Sequence, residues 1–227
     1  KRVIKMVEAI ILCGGTGWRL KPHTWIPKPL LPLIEEPTKK TLLDLQIEWL
    51  KKHGFTRIIL SSNQHLETSH EVVEVIEKEK LGTGGAVKNA IKKAEEELVY
   101  VMNVDDIVTY NPRSLFDYAD AGAAILLARP HIGFGVVNLE GDFVVGFEEK
   151  PLLDFYVSAG HYVFKREVIE RYFPDVGDLE REALPVIAKD KLLKGMKLEG
   201  EWYTINTYKD YINVKKLIEC GKIRLPA

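Results

Sequence analysis

The chain has 227 residues and a formal net charge of −1, with 32 Lys and Arg against 33 Asp and Glu. That balance excludes a general electrostatic attraction to nucleic acid or to an anionic membrane surface, so any anion must be held locally, by a few side chains and backbone amides. A hydrophobic fraction of 46% supplies a substantial core, and there is no apolar run of roughly 18 residues such as a bilayer span requires. The first residues, "KRVIKMVE", lack the apolar stretch of a secretory signal. Cys13 and Cys220 lie far apart, which argues against a disulfide framework and for a reducing, cytoplasmic setting. Lys and Glu dominate a 29% charged fraction, a balance common in thermophile proteins.

In chain order, Glu8-Ala-Ile-Ile-Leu12 reads as a short buried strand running into a glycine-rich loop. "TLLDLQIEWLKKHG" reads as a helix, with Thr41 and Asp44 at capping-box spacing and Gly54 as its stop. "RIILSS" is the next buried strand, and "EVVEVIEKEK" alternates as a strand at a sheet edge does. "GGAVKNAIKKAEEE" has the period of an amphipathic helix, and "LVYVMNV" is a buried strand ending at Asp105-Asp106. "NPRSLFDYADA" reads as a capped helix and "GAAILLA" as a strand. Further on, "GFGVVNLEGDFVVGFEEKP" has the form of a hairpin turning at "EGD". "FYVSAGHYVFKREVIERYF" is a strand passing into a helix, and "YKDYINVKKLIEC" is a closing helix. Strands alternating with helices imply an α/β fold: a mostly parallel, Rossmann-like sheet between two helical layers, with ligands at the carboxyl ends of the strands. Neither a repeat nor a linker divides the chain. It is expected to form one domain over 1–227.

The chemistry begins in "LCGGTGWRL". A glycine-rich turn after a buried strand lets a phosphate approach backbone N–H groups, and Arg19 adds a forked donor. The same turn also serves as a plain structural one. It is neither a P-loop nor a dinucleotide fingerprint, lacking the Gly-Lys-Ser/Thr of the first and the third glycine spacing of the second. "PKPLLP" holds Lys28 in a rigid extended segment close behind it. Asp105, at a strand end, suits a divalent cation as well as an ordinary helix cap. Glu77 and Glu79 lie in a Glu/Lys run of the kind that is commonly a solvated edge.

Taken together, "AIILCGGTGWRLKPHTWIPKPLLPL" resembles the signature of the sugar-1-phosphate nucleotidyltransferases, G-G-x-G-T-R-L followed by P-K-x-L-L-P. "LGTGGAV", "MNVDDI", "FGVVNL" with "FEEKP", "VSAGHYVF" and "EWYTINTYKDY" resemble five further blocks of that family, in its order and over nearly the whole chain. The resemblance implies the nucleotide-diphospho-sugar transferase fold, with a nucleotide-binding part at about 7–130 and a sugar-phosphate-binding part at about 131–227. It also implies Mg²⁺-dependent joining of a nucleoside triphosphate to a sugar 1-phosphate with release of pyrophosphate. On it, Arg19 and Lys28 serve the phosphates and Asp105 holds Mg²⁺. Leu12, Gly14, Gly15, Thr16, Gly17, Glu79, Gly82 and Thr83 bind the nucleotide. Gly135, Glu149, Lys150, Ser158 and Gly160 bind the sugar phosphate. "EKEKLGTGGAV" is nearest the form found in guanylyltransferases for mannose- or heptose-type sugars, so GTP is favoured over the other nucleotides, Glu79 accepting from guanine. Short members of the family are often dimers or tetramers, and self-association is expected on that ground alone.

Three departures stand out. Trp18 replaces the loop threonine, and its simplest role is to fill the core behind the loop. Val104 replaces the glycine before the metal-binding aspartate. Thr204 and Asn206 stand where the family has a second metal-binding aspartate and a glycine, while Asp210 suits the first turn of the closing helix. These losses keep open an alternative, a catalytically weakened homologue that binds nucleotide or sugar phosphate as a regulatory subunit.

Overall fold

The structure is a computed structural model that describes residues 6–15, 17–35 and 37–223. Thr16, assigned above to the nucleotide, lies outside the described residues. The elements run β1 (Glu8–Leu12), β2 (Pro32–Ile34), β3 (Lys40–Thr41), α1 (Leu42–Lys52), β4 (Arg57–Ser62), β5 (Val73–Ile76) and α2 (Gly82–Ala90). They continue with β6 (Leu98–Asn103), β7 (Asp106–Val108), β8 (Ala123–Ala128), β9 (Gly135–Glu140), β10 (Phe143–Glu149), β11 (Val157–Lys165) and α3 (Arg166–Tyr172). The chain closes with α4 (Leu184–Lys189), β12 (Leu193–Lys197), β13 (Trp202–Thr204) and α5 (Tyr208–Glu219).

Seven strands form the central sheet in the order β12-β8-β11-β6-β1-β4-β5. All its pairings are parallel except the two made by β11, which runs antiparallel to β6 and β8. β1 is apolar without alternation because both its faces are covered. Ala9 and Ile11 join a core shared with α1 and α5, while Ile10 and Leu12 join one shared with α2, α3 and α4. The result is the expected three-layer α/β/α sandwich. The parallel strands β1, β4, β5 and β6 all end at the same edge of the sheet, so the glycine loop and the Asp105 turn emerge side by side.

Local signals explain most boundaries. Thr41 caps α1 with the full box: its hydroxyl accepts from the Asp44 amide at 3.2 Å, and its own amide donates to the Asp44 carboxylate at 2.9 Å. Thr207 and Asp210 repeat this at α5. The helix expected to run to Glu97 stops at Ala90, followed by a tighter turn over Ile91–Lys93. Its end is set by tertiary contact, since the Glu95 and Glu96 amides both donate to the buried Glu8 carboxylate at 2.7 Å. The expected helix at "NPRSLFDYADA" is a 3₁₀ segment, Pro112–Ala121, capped by Asn111. β7, β12, β13 and α4 were not foreseen. Among the described residues no helix is long and apolar enough to cross a membrane.

Candidate active site

Gly15 and Gly17 take positive φ values of 111° and 57°, which only glycine adopts without strain, and they turn the chain sharply after β1. The following turn, Trp18–Leu20, is three residues long, and Leu20 is the one it buries. Trp18 is 73% exposed, so the expected core-filling tryptophan is corrected: a turn this short can send only one of its side chains inward. Instead Trp18 lines a cleft with Arg19, Lys28 and Asn206. Lys21 stands over both the Trp18 and Trp25 rings, at 5.3 and 4.7 Å.

At the floor of this region Lys28 Nζ donates to Asp105 Oδ2 at 2.6 Å, with both side chains about one-fifth exposed. Two residues 77 positions apart in the chain are thus brought together as expected. The turn carrying Asp105 is clamped from below. Gln46 Nε2 donates to the carbonyls of Val104 (3.0 Å) and Asp106 (2.9 Å). His161 Nε2 also meets the Asp106 carbonyl, at 3.1 Å, while its Nδ1 lies 2.7 Å from the Tyr100 hydroxyl. Because a carbonyl only accepts, Nε2 carries the proton and Nδ1 accepts from Tyr100, whose oxygen in turn accepts from Tyr110 at 2.7 Å. Burial pushes the His161 pKa down to about 4, which keeps the ring neutral. Neither Gln46 nor His161 was singled out in the sequence. A polar residue within the largely apolar strand "VSAGHYVF" is the one signal that could have marked His161.

Asp106 is buried and turned away from Lys28. Its carboxylate accepts from Asn103 Nδ2 (3.1 Å) and Trp202 Nε1 (3.0 Å) and packs against Gly160, where a Cβ would overlap Oδ2. Desolvation, helped by the neighbouring Asp105 charge, raises its pKa to about 6, against the hydrogen bonds from Asn103, Trp202 and Thr204. Thr204 pairs with Asp106 across β13 and β7. The departures at 204 and 206 form a relay: Arg19 Nη1 donates to Asn206 Oδ1 at 3.2 Å, and Asn206 Nδ2 to Thr204 Oγ1 at 3.1 Å. Among the described residues no three His, Cys, Asp or Glu side chains gather as a metal centre. Asp105 keeps one carboxylate oxygen without a side-chain hydrogen bond. That donor set fits a hard cation bound by one protein carboxylate, with water and substrate phosphates filling its shell, the habit of Mg²⁺.

A second cleft opens beside the loop, lined by Leu12, Gly14, Gly15, Gly82 and Thr83 from the expected nucleotide set, together with Ser61, Glu77, Lys80, Ala86 and Asp178. Glu79 is exposed and outside this lining, whereas Glu77, two residues earlier, is part of it. Glu77 is held in place, accepting from the Ser61 hydroxyl at 3.2 Å and the Leu81 amide at 3.4 Å. The Thr83 hydroxyl is already engaged: it donates to Glu180 and accepts from the Leu179 amide, both at 2.8 Å. Likewise the Gly84 and Gly85 amides at the start of α2 donate to the Gly177 carbonyl, at 2.9 and 3.3 Å, rather than facing a phosphate.

The sugar-phosphate set is more dispersed. Glu149 and Lys150 pair with each other at 3.0 Å, both more than half exposed, and make no hydrogen bond to Lys28 or Asp105. Lys150 has φ 49°, a left-handed conformation that costs a non-glycine residue energy and is typical of functional turns. A Cβ on Gly135 would overlap the Phe147 ring. The Ser158 hydroxyl contacts Tyr162 Oη at 2.9 Å and accepts from the Gly160 amide at 3.2 Å, fixing a β-bulge whose Gly160 has φ 74°.

The sheet edge, glycine loop and paired clefts define an α/β protein of the nucleotide-sugar transferase fold. Comparison with known proteins agrees. HddC from Yersinia pseudotuberculosis, complexed with GMP-PN, superposes with a TM-score of 0.70 at 26% identity, over 94% of this chain and all of that one. The sequence is 29% identical to a mannose-1-phosphate guanyltransferase of Debaryomyces hansenii over 91% of this chain and 63% of that protein. It is 32% identical to a D-glycero-alpha-D-manno-heptose 1-phosphate guanylyltransferase of Campylobacter jejuni over 73% of this chain and 79% of that one. The chain thus spans under two thirds of the mannose-1-phosphate relative. Residues 8–220 match the nucleotidyl transferase family, and the chain belongs to it.

Proposed function

We propose that the protein transfers a nucleotidyl group, guanylyl by preference, from a nucleoside triphosphate to a sugar 1-phosphate. An ionised oxygen of the sugar phosphate attacks the α-phosphorus, the bond from that phosphorus to the α–β bridging oxygen breaks, and pyrophosphate leaves with the electron pair. No general base is needed, because the nucleophile is already an anion. The difficulty is bringing two polyanions together and spreading the charge that builds on the α-phosphate.

The observation that carries this reading is the Lys28–Asp105 pair at 2.6 Å beneath the glycine loop, with Arg19 lining the same approach. Lys28 neutralises the reacting phosphates and Arg19, oriented by Asn206, holds the departing ones. Mg²⁺, bound by Asp105 and the substrate phosphates, would supply further charge neutralisation. The nucleotide part, about 7–130, takes the base beside Glu77. The remainder offers Glu149 to sugar hydroxyls and Lys150 to the sugar phosphate. The guanylyltransferase relatives support guanine and a mannose- or heptose-type sugar.

The test is pyrophosphate release from a panel of nucleoside triphosphates against several sugar 1-phosphates, with and without Mg²⁺. Lys28→Ala and Asp105→Asn are each expected to lower kcat/KM by roughly a hundredfold or more. If no pair turns over while nucleotides still raise the melting temperature, the transferase reading gives way to a binding-only one.

A further inference from the structure

The base cleft carries a second carboxylate that the proposed reaction does not use. Asp178 belongs to the segment 174–178, which docks along the start of α2. The Gly177 amide donates to the Leu81 carbonyl at 2.8 Å, and the Gly177 carbonyl accepts from the Gly84 amide at 2.9 Å. The approach is so close that a Cβ on Gly82 would overlap the Gly177 carbonyl, and one on Gly85 the Asp175 carbonyl. This docking leaves Asp178 on the cleft wall, with Oδ1 3.2 Å from the point a Gly82 Cβ would occupy.

Unlike Glu77, which is fixed by Ser61 and Leu81, the Asp178 carboxylate accepts no hydrogen bond among the described residues. Its one ionic neighbour among the described residues, Arg181, is 3.9 Å away and largely exposed, and the Asp178 side chain is itself about half exposed. Half exposed, this carboxylate is hydrated, and a ligand that displaces that water is best matched there by an N–H donor. Glu77 and Asp178 share the cleft wall with Lys80, so the cleft offers two acceptors beside one cation, and a base edge with two adjacent N–H donors matches the acceptors. Guanine offers a ring N–H and a 2-amino group on one edge. Adenine and cytosine offer a single amino group, and thymine and uracil a single ring N–H.

We propose that Asp178 is a base-specificity residue that accepts a hydrogen bond from the 2-amino group of guanine while Glu77 meets the ring N–H; this rests on the guanylyl-transfer reading above. The test compares kcat/KM for GTP, ITP (no 2-amino group) and 2′-deoxyGTP (no ribose 2′-hydroxyl) in wild type, Asp178→Asn and Asp178→Ala. Wild type should favour GTP over ITP by roughly tenfold to a hundredfold, the range for a hydrogen bond to a charged group. Asp178→Ala should bring that ratio close to one by weakening GTP, with ITP little changed, and Asp178→Asn, whose amide oxygen still accepts but carries no charge, should lower it part of the way. Asp178→Asn keeps the shape of the side chain, so a poorly folded alanine variant does not block the comparison. An undiminished GTP/ITP ratio in the variants overturns the inference, as does a wild type indifferent to the 2-amino group. So does a change confined to the GTP/2′-deoxyGTP ratio, which would put Asp178 on the ribose. A wild type that prefers another nucleotide over GTP brings down the guanine reading itself, and that shows before any variant is made.

Discussion

At the scale of single residues, the most constrained group near the site is His161. It is fully buried, donates to the Asp106 carbonyl and accepts from Tyr100, so protonating Nδ1 would break the Tyr100 bond and place a charge in the core. Its pKa is about 4 in the folded protein against an ordinary value of 6.5. Below 6.5 the unfolded chain binds a proton that the folded one refuses, so this contribution to stability is complete above pH 6.5 and is lost as the pH falls towards 4. The loss amounts to about 3 kcal/mol at most. Chemical denaturation at intervals from pH 8 to 4 should show that decline in wild type and a shallower one in His161→Gln; matching slopes would show that His161 does not carry it. Base choice gives a second expectation at this scale: Glu77→Gln shifts the preference among nucleotides, measured by kcat/KM, while Glu79→Gln leaves it in place. The sequence pointed to Glu79 because the resemblance of "EKEKLGTGGAV" to the guanylyltransferase form called for a carboxylate shortly before the glycines, in a run that offers both 77 and 79. The strand β5 stops at Ile76, and of the two carboxylates that follow only Glu77 is on the cleft wall, a choice that spacing alone does not reveal.

At the scale of elements, the glycines of "LGTGGAV" are spent on packing. Gly82 and Gly85 make room for the backbone of the segment 174–178, and the first amides of α2 are capped by the Gly177 carbonyl. A methyl group at residue 85 would drive into the Asp175 carbonyl, which is backbone and cannot rotate aside. Gly85→Ala should therefore cost about 2–4 kcal/mol of unfolding free energy by denaturant titration, in the range of severe steric substitutions. A loss below about 0.5 kcal/mol would mean that the two segments do not dock this closely. The element-level pattern also explains what sequence could and could not reveal. β1, β4, α1 and α5 were legible because apolar runs and capping boxes are local signals. β7 and β13 were not: each is three residues long, and they exist because they pair with each other. In β12, Gly195 breaks any strand pattern, yet a glycine is what the contact with Leu127 allows.

At the scale of the whole molecule, stability and binding are separated in space. The strands β6, β1 and β4 lie inside the sheet with helices over both faces, and their carboxyl ends present the loop, the Asp105 turn and the base cleft on a rigid edge. The ribbon β9–β10 has only its own two strands, with Phe143 and Phe147 78% and 68% exposed. An isolated hairpin is marginally stable in water, so this ribbon should open independently of the sheet. Hydrogen exchange on the free protein should find amides of residues 135–149 exchanging several orders of magnitude faster than those of β1 and β6. Adding nucleotide with a sugar 1-phosphate should slow exchange at the hairpin base, around Gly135 and Glu149, and in the loop from Gly14 to Lys21. The far edge strand β12 should not respond. Protection of the free hairpin equal to that of the central strands would mean another surface covers it. Protection by ligand that spared its base would remove Glu149 and Lys150 from the sugar-phosphate site while leaving the Lys28–Asp105 centre intact.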